Sequence, residues 1–307
     1  MTVGVDGSPA SGRAVRWAAA TAAQRGLSLH LIHAVDFATT GWAATPFVQT
    51  SRIFEWAEED AQAVLGEAER IAQESAPGLE VTAAVALTGT AKWLVRLSQE
   101  TRMLVLGQSG SGRLGEVFLG STPVAVVGHA ACPVVVVRGE EAPEPDYRPV
   151  VVGVDGSPLS ENALAAAFEE ASFRDVDLVA VHIWSDLKVG SLEAMPLDFE
   201  PQALEDVERV LLGERLAGYG ERYPDVTVVR KIYMDGPRTH LQAWSESAQL
   251  VVVGSRGRGG FKGSSSVPRA TRSCVRPIVR SWSCARTKPD GGSVRGTVHQ
   301  RARTLQS

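Results

Sequence analysis

The sequence predicts an α/β protein of two tandem domains, each built on a doubly wound parallel sheet. Three observations carry this: the chain repeats itself once, strand-like apolar runs alternate with helical spacing inside the repeat, and glycine turns stand where strands hand over to helices. Val3-Gly4-Val5-Asp6-Gly7-Ser8-Pro9 recurs as Val152-Gly153-Val154-Asp155-Gly156-Ser157-Pro158, an offset of 149, and His33 recurs as His182 at the same offset. Leu104 to Gly110 recurs as Val251 to Gly257, an offset of 147. These landmarks place one repeat at 1–139 and a second at 149–263. The linker 140–148 between them holds Pro143, Pro145 and four acids, a composition suited to an exposed, extended connector. Residues 264–307 remain as a basic tail.

Taken in order, Val3 to Asp6 reads as a short apolar strand. Ser8 is placed as the N-cap of a helix and Pro9 as its first residue. Val15, Ala18, Ala19 and Ala22 follow helical spacing, and Gly26 stops the helix. Leu29 to Val35 is a second strand, 52–75 a long acidic helix with a solvated face, and Val81 to Leu87 a third strand. A helix near Lys92 to Glu100 leads to the strand Met103 to Leu106. A helix after Gly120 leads to Pro133 to Val137, whose valine run suits a strand buried on both faces. Strands separated by helices give a parallel sheet.

Composition sets the outer limits. The chain is 44% hydrophobic and 21% charged, a soluble globular balance sufficient for two domains of this size. It has no run of 18 apolar residues, so no membrane span is expected. A polar turn follows the first few residues with no basic-then-apolar stretch, so no secretory signal is expected and the protein is placed in the cytoplasm. Cys132, Cys274 and Cys284 are too few and too scattered for a disulfide framework or a metal–sulfur site. The net charge of −4 conceals a body, 1–263, at −12 and a tail at +8. An acidic body argues against nucleic acid as the main partner.

Open parallel sheets bind ligands beyond the carboxyl ends of their strands. In the first repeat Asp6-Gly7-Ser8 follows the first strand, Ala34 the second, and Gly107 the fourth. Gly107 begins a pattern of glycine, two residues, Gly110, nine residues, then Gly120-Ser121-Thr122. Glycines let backbone N–H groups approach an anion, and Ser121 and Thr122 open a helix whose positive end would face a phosphate. Asp6 has the chemistry to accept from ribose hydroxyls or to hold a phosphate-bound magnesium. Gly-x4-Gly-Lys-Ser/Thr is absent, and no G-x-G-x-x-G follows the first strand. His33 and His182 read as structural histidines and Cys132 as a small packed residue. Arg256-Gly257-Arg258 reads equally as a phosphate contact or as exposed surface.

That glycine spacing behind a Val-Gly-Val-Asp-Gly-Ser strand-turn resembles the universal stress protein family, in its tandem form, over residues 1 to about 263. The resemblance implies a Rossmann-like fold that binds adenine nucleotide, ATP with or without Mg2+, and acts in stress response as a sensor. Carried over residue by residue, it implies a site of Val5, Asp6, Gly7, Ser8, Ala34, Gly107, Gly110, Gly120, Ser121 and Thr122. The second repeat offers a weaker set: Val154, Asp155, Gly156, Ser157, Ile183, Gly254 and Gly257. The resemblance also implies self-association by pairing of domains through their final strands, with a homodimer as one form. No general base and nucleophile stand together beside the glycines, so slow ATP hydrolysis is the most chemistry expected. The alternative is a protein-interaction module of the same fold whose glycine turns are purely structural.

After Gly263 the second repeat should supply a Gly-Ser/Thr, a helix and a valine strand, but reads Ser264-Ser265-Ser266-Val267-Pro268 and then no periodicity. One reading is a disordered basic tail. The other is a slipped coding frame. Joining each codon's third base to the next two allows glycine and then Ser or Thr across Ser266–Val267, ten positions after Gly257, as Gly120 follows Gly110. Trp282 is encoded only by TGG, so a following TC-type serine codon gives valine, inside a permitted Pro-Val-Leu-Val-Val-Arg. A slipped tail would leave the second domain without its last phosphate loop, helix and strand, and with an open sheet edge.

Overall fold

The computed structural model describes residues 1–35, 50–86, 89–108, 120–139, 146–183, 201–234, 236–254 and 280–284. In the first repeat these form β1 (Thr2–Val5), α1 (Pro9–Gln24), β2 (Leu29–Ala34), α2 (Thr50–Ser75), β3 (Val81–Ala86), α3 (Thr90–Leu97), β4 (Leu104–Gly107), α4 (Ser121–His129) and β5 (Val134–Val137). In the second they form β6 (Val150–Val154), α5 (Pro158–Arg174), β7 (Leu178–Ile183), α6 (Pro201–Arg222), β8 (Val228–Tyr233), α7 (Pro237–Ser247), β9 (Leu250–Gly254) and β10 (Arg280–Cys284). The alternation expected from the apolar runs is present throughout the described residues.

Local chemistry sets the boundaries. Ser8 and Ser157 cap α1 and α5: the Ser8 hydroxyl accepts from the Ser11 N–H and the Ser157 hydroxyl from that of Ser160, with proline in the first turn of each helix. Gly26, at φ 61°, turns the chain out of α1. Asp175 makes the same left-handed turn after α5, at φ 53°, a conformation that Asp tolerates better than most residues. The four valines of β5 are all buried, as expected of a central strand covered on both faces.

The strands form one ten-stranded sheet in the order β3-β2-β1-β4-β5-β10-β9-β6-β7-β8. Within each repeat all neighbours are parallel, and β1 and β4 (or β6 and β9) lie side by side at the point where the winding reverses. The repeats join where β10 runs antiparallel to β5 and parallel to β9. One apolar core runs under both repeats, with Val135 and Val137 of β5 in the same cluster as Val152, Phe168 and Val252. A smaller cluster on the other face packs Leu94 and Val126 against β4 and β5.

β10 departs from the open edge expected of a slipped tail. Arg280–Cys284 fills the slot of the final strand, with Trp282 opposite both Val252 and Val135. Strand pairing uses backbone groups, and β9 and β5 together offer an unpaired ladder on either side of the gap, so Ser-Trp-Ser can occupy it without an apolar pattern of its own. This is the stretch where the shifted reading places its valine strand. The second Gly-Ser/Thr and the last helix of that repeat fall outside the described residues.

Candidate functional site

At the carboxyl end of β1 the chain turns through Asp6, Gly7 and Ser8, with Gly7 at φ 76°, a conformation that calls for glycine. The turn is self-bonded. Asp6 Oδ1 accepts from the Ser8 N–H at 3.0 Å and the Ser8 hydroxyl at 2.6 Å, and Ser8 Oγ accepts from the Ser11 N–H at 3.2 Å. Ser8 is buried and occupied by the turn, while the Asp6 carboxylate is exposed. Ser8→Ala is expected to lower the unfolding free energy of the first repeat by about 1 kcal/mol, the usual cost of an N-cap. A leftward shift of the urea midpoint would show it, and an unmoved midpoint would mean that the cap carries no stability.

The neighbouring strands bring the other predicted residues to the same edge. Val5 is buried at the end of β1, and Ala34 ends β2 half-buried, paired with Ala86 of β3. His33 donates from Nδ1 to the Val5 carbonyl at 2.9 Å, which makes it a structural histidine that ties β2 to β1. Gly107 ends β4 against the first turn of α1. The Gly120 N–H donates to the Gln108 carbonyl at 2.8 Å, so the start of α4 is stapled directly beside Gly107. Gly120 is the N-cap of α4 and provides no side-chain cap, and Ser121 and Thr122 form the first turn, Ser121 exposed. The first N–H groups of a helix have no partner inside it. An uncapped N-terminus at the winding reversal is a place for an anion. Gly110 lies outside the described residues.

Sequence reasoning missed two residues here. Gln108 and Arg138, each 3% exposed, meet behind the Gly107 turn, the Arg138 Nε–H donating to Gln108 Oε1 at 3.3 Å. Their signal was present: a polar residue directly after an apolar strand, and an arginine directly after a four-valine run. On the far side of the Asp6–Ser8 turn, between α1 and α2, a cleft of about 400 Å³ is lined by Gly7, Arg13, Arg16 and Glu67 among others. It opens beside the turn and not between β1 and β4.

The second repeat copies the turn and changes its surroundings. Val154 ends β6, Gly156 adopts φ 72°, and the Ser157 N–H donates to Asp155 Oδ1 at 2.9 Å. Gly254 ends β9, and Gly257 lies outside the described residues. His182 donates to the Val154 carbonyl at 2.9 Å, as its counterpart does, but its Nε2 also meets Glu208 of α6 at 2.7 Å. Ile183 ends β7 beside Tyr233, where the first repeat has Ala34 beside Ala86. Tyr233 stacks on His240 with 3.7 Å between ring centroids, and its hydroxyl accepts from Trp244 Nε1 at 3.1 Å. Two alanines at the strand ends of one repeat thus correspond to an isoleucine and a tyrosine in the other.

Among the described residues no group of three or more His, Cys, Asp or Glu is arranged to hold a metal ion, and no helix is long and apolar enough to cross a membrane.

A tandem pair of doubly wound α/β units, each ending its first strand in an Asp-Gly-Ser turn beside the glycine that ends its fourth, defines the class of this protein. The chain belongs to the universal stress protein family, whose model matches residues 1–138 and 146–276. It is 42% identical over 268 residues to universal stress protein Rv2005c of Mycobacterium tuberculosis, covering 86% of this chain and 89% of that one. It is 41% identical over 286 residues to a universal stress protein of Mycolicibacterium smegmatis, covering 91% and 95%. The crystal structure of a universal stress protein from Archaeoglobus fulgidus matches the fold with a TM-score of 0.65 at 17% identity, over 92% of this chain and 97% of that one.

Proposed function

We propose that this chain is a cytoplasmic ATP-binding regulator of the stress response, with the first repeat as its nucleotide site. The observation that carries the reading is the staple from the Gly120 N–H to the Gln108 carbonyl, which sets the uncapped start of α4 against the Gly107 turn beside β1. The N–H groups of Ser121 and Thr122, in the first turn of α4, fit phosphate oxygens. The exposed Asp6 carboxylate fits ribose hydroxyls or a phosphate-bound Mg2+, and the small Ala34–Ala86 pair suits a base lying over the strand ends. In the second repeat Ile183 and Tyr233 stand at the positions of those alanines and leave less room over the strand ends, which supports one nucleotide per chain. The exposed Asp6 is the one carboxylate of the turn, and its self-bonded geometry suits ligand binding more than proton transfer, so hydrolysis is slow at most.

The test is to denature the purified chain and quantify released nucleotide by chromatography with mass detection. About one ATP or ADP per chain supports the reading. No nucleotide, and none taken up when ATP is added back, transfers the function to the interaction-module reading. The repeats join edge to edge through β5 and β10. That joining is intramolecular, so a homodimer would use another surface.

A further inference from the structure

Where α1 of the first repeat meets α5 of the second, charged groups are buried that the nucleotide site does not use. The Glu170 side chain is wholly buried and accepts from two arginines, Arg25 across the repeat boundary and Arg174 one turn along its own helix, the latter at 3.0 Å. The side chains of Arg25 and Arg174 are only 8% and 13% exposed. Arg25 also meets Glu169 at 3.3 Å and lies 4.2 Å over the Phe173 ring, and Arg102 reaches Glu169 at 3.3 Å. Arg174 continues to Gln249 Oε1 at 3.1 Å, and Gln249 Nε2 donates to the carbonyls of Asp146 and Arg148 at 2.9 and 2.7 Å. The cluster therefore joins both repeats and the end of the linker.

The internal repeat shows how lopsided the cluster is. Arg25 corresponds to Arg174 at the offset of 149, Thr21 to Glu170 and Ala20 to Glu169, while Arg102 corresponds to Gln249 at the offset of 147. The first repeat brings two positive charges to this face and no acid. The second brings two acids and one arginine. Arg102 and Glu169 stand at the exposed rim, and the buried groups are Arg25, Arg174 and Glu170. Two first repeats would bring two Arg25 side chains together with no carboxylate between them, whereas the native pairing supplies Glu170. An unpaired charge taken out of water is among the most costly defects a packed interface can hold.

We infer that this face is a heterotypic lock: the first half recognises the second and rejects a copy of itself, with Glu170 as the shared carboxylate that decides the pairing. The lock closes within one chain because Gln249 holds the linker end at the same cluster. Thr21, buried and one turn before Arg25, occupies the mirror position of Glu170. A carboxylate moved from 170 to 21 therefore reaches the same two guanidinium groups from the other side.

The experiment uses the full chain with a specific protease site inserted in the linker and cut after folding. The native halves are expected to co-elute as a one-to-one complex on dilution to nanomolar concentration. Glu170→Gln is expected to raise the dissociation constant of the halves by roughly 100-fold or more. Adding Thr21→Glu to Glu170→Gln is expected to restore most of the loss. Equal affinity for native and Glu170→Gln halves overturns the inference, as does failure of Thr21→Glu to restore pairing, or self-paired first halves from the native chain. Should Glu170→Gln not accumulate folded, the double variant decides: a folded, paired product supports the lock and an unfolded one overturns it.

Discussion

Gly120→Asp is expected to abolish nucleotide binding while leaving the first repeat as stable as before, or slightly more so. Gly120 sits at φ −60° and ψ 161°, backbone that any residue adopts, so glycine is not required there by conformation. It is the N-cap of α4 and offers no side chain to the N–H groups that follow. Aspartate is among the preferred N-cap residues and accepts from those groups, a gain over glycine of a few tenths of a kcal/mol. The same carboxylate takes the donors proposed for a phosphate and places a negative charge against it. Losing a set of charge-assisted hydrogen bonds and adding like-charge repulsion is worth about 3 kcal/mol or more, over 100-fold in affinity. Gly120→Ala is the control and is expected to keep binding within several-fold. The checks are nucleotide content and the thermal midpoint of each variant. A Gly120→Asp protein that still carries one nucleotide per chain would remove the anion from the start of α4 and take the proposed site with it.

Much of the fold was legible in the sequence because its determinants are local. The 149-residue offset fixed two copies of one unit, and Ser8-Pro9, Gly26 and the β5 valines marked ends and burial through capping, left-handed turns and apolar runs. His33 and His182 were readable as structural, and both bond the carbonyl at the end of the neighbouring strand. What resisted reading depends on which surfaces meet. Glu170 stands in an Ala-rich helix next to Glu169 and reads as one more solvated acid, yet it is fully buried because Arg25 arrives from 145 residues away. Tyr233 satisfies its own strand pattern, and only the register of β7 with β8 reveals that it stands beside Ile183 at the strand ends. β10 carries no pattern of its own, since its neighbours supply the ladder.

Gly107 shows the same limit within a single residue, and its substitution should have the largest effect on stability. As sequence it is the first glycine of an anion-binding pattern. In the fold, a Cβ at 107 would stand 2.7 Å from the Ala10 carbonyl carbon, 2.8 Å from its oxygen and 2.9 Å from the Ser11 nitrogen. These are backbone atoms of the first turn of α1, which cannot rotate aside as a side chain would. That turn is fixed by the Ser8 cap and by the buried Ala10, Ser11 and Ala14 against the sheet. Gly107→Ala must therefore push α1 away from β4, and Gly107→Val must push it further. Overpacking of a rigid contact costs about 1–3 kcal/mol, so Gly107→Val is expected at or above the top of that range. The thermal midpoint of the first repeat should fall by about 10 °C. Gly66 supplies the opposite case: it lies inside α2, and a Cβ there meets nothing within 4 Å. Gly66→Ala should stabilise by about 0.5–1 kcal/mol through helix propensity alone. If Gly107→Ala proves neutral, α1 has slack against β4, and the glycine is then left to the ligand alone. If it destabilises as expected, loss of nucleotide in a Gly107 variant follows from displacement of the Asp6–Ser8 turn. Gly120, whose substitution leaves the fold in place, is then the position that separates binding from packing.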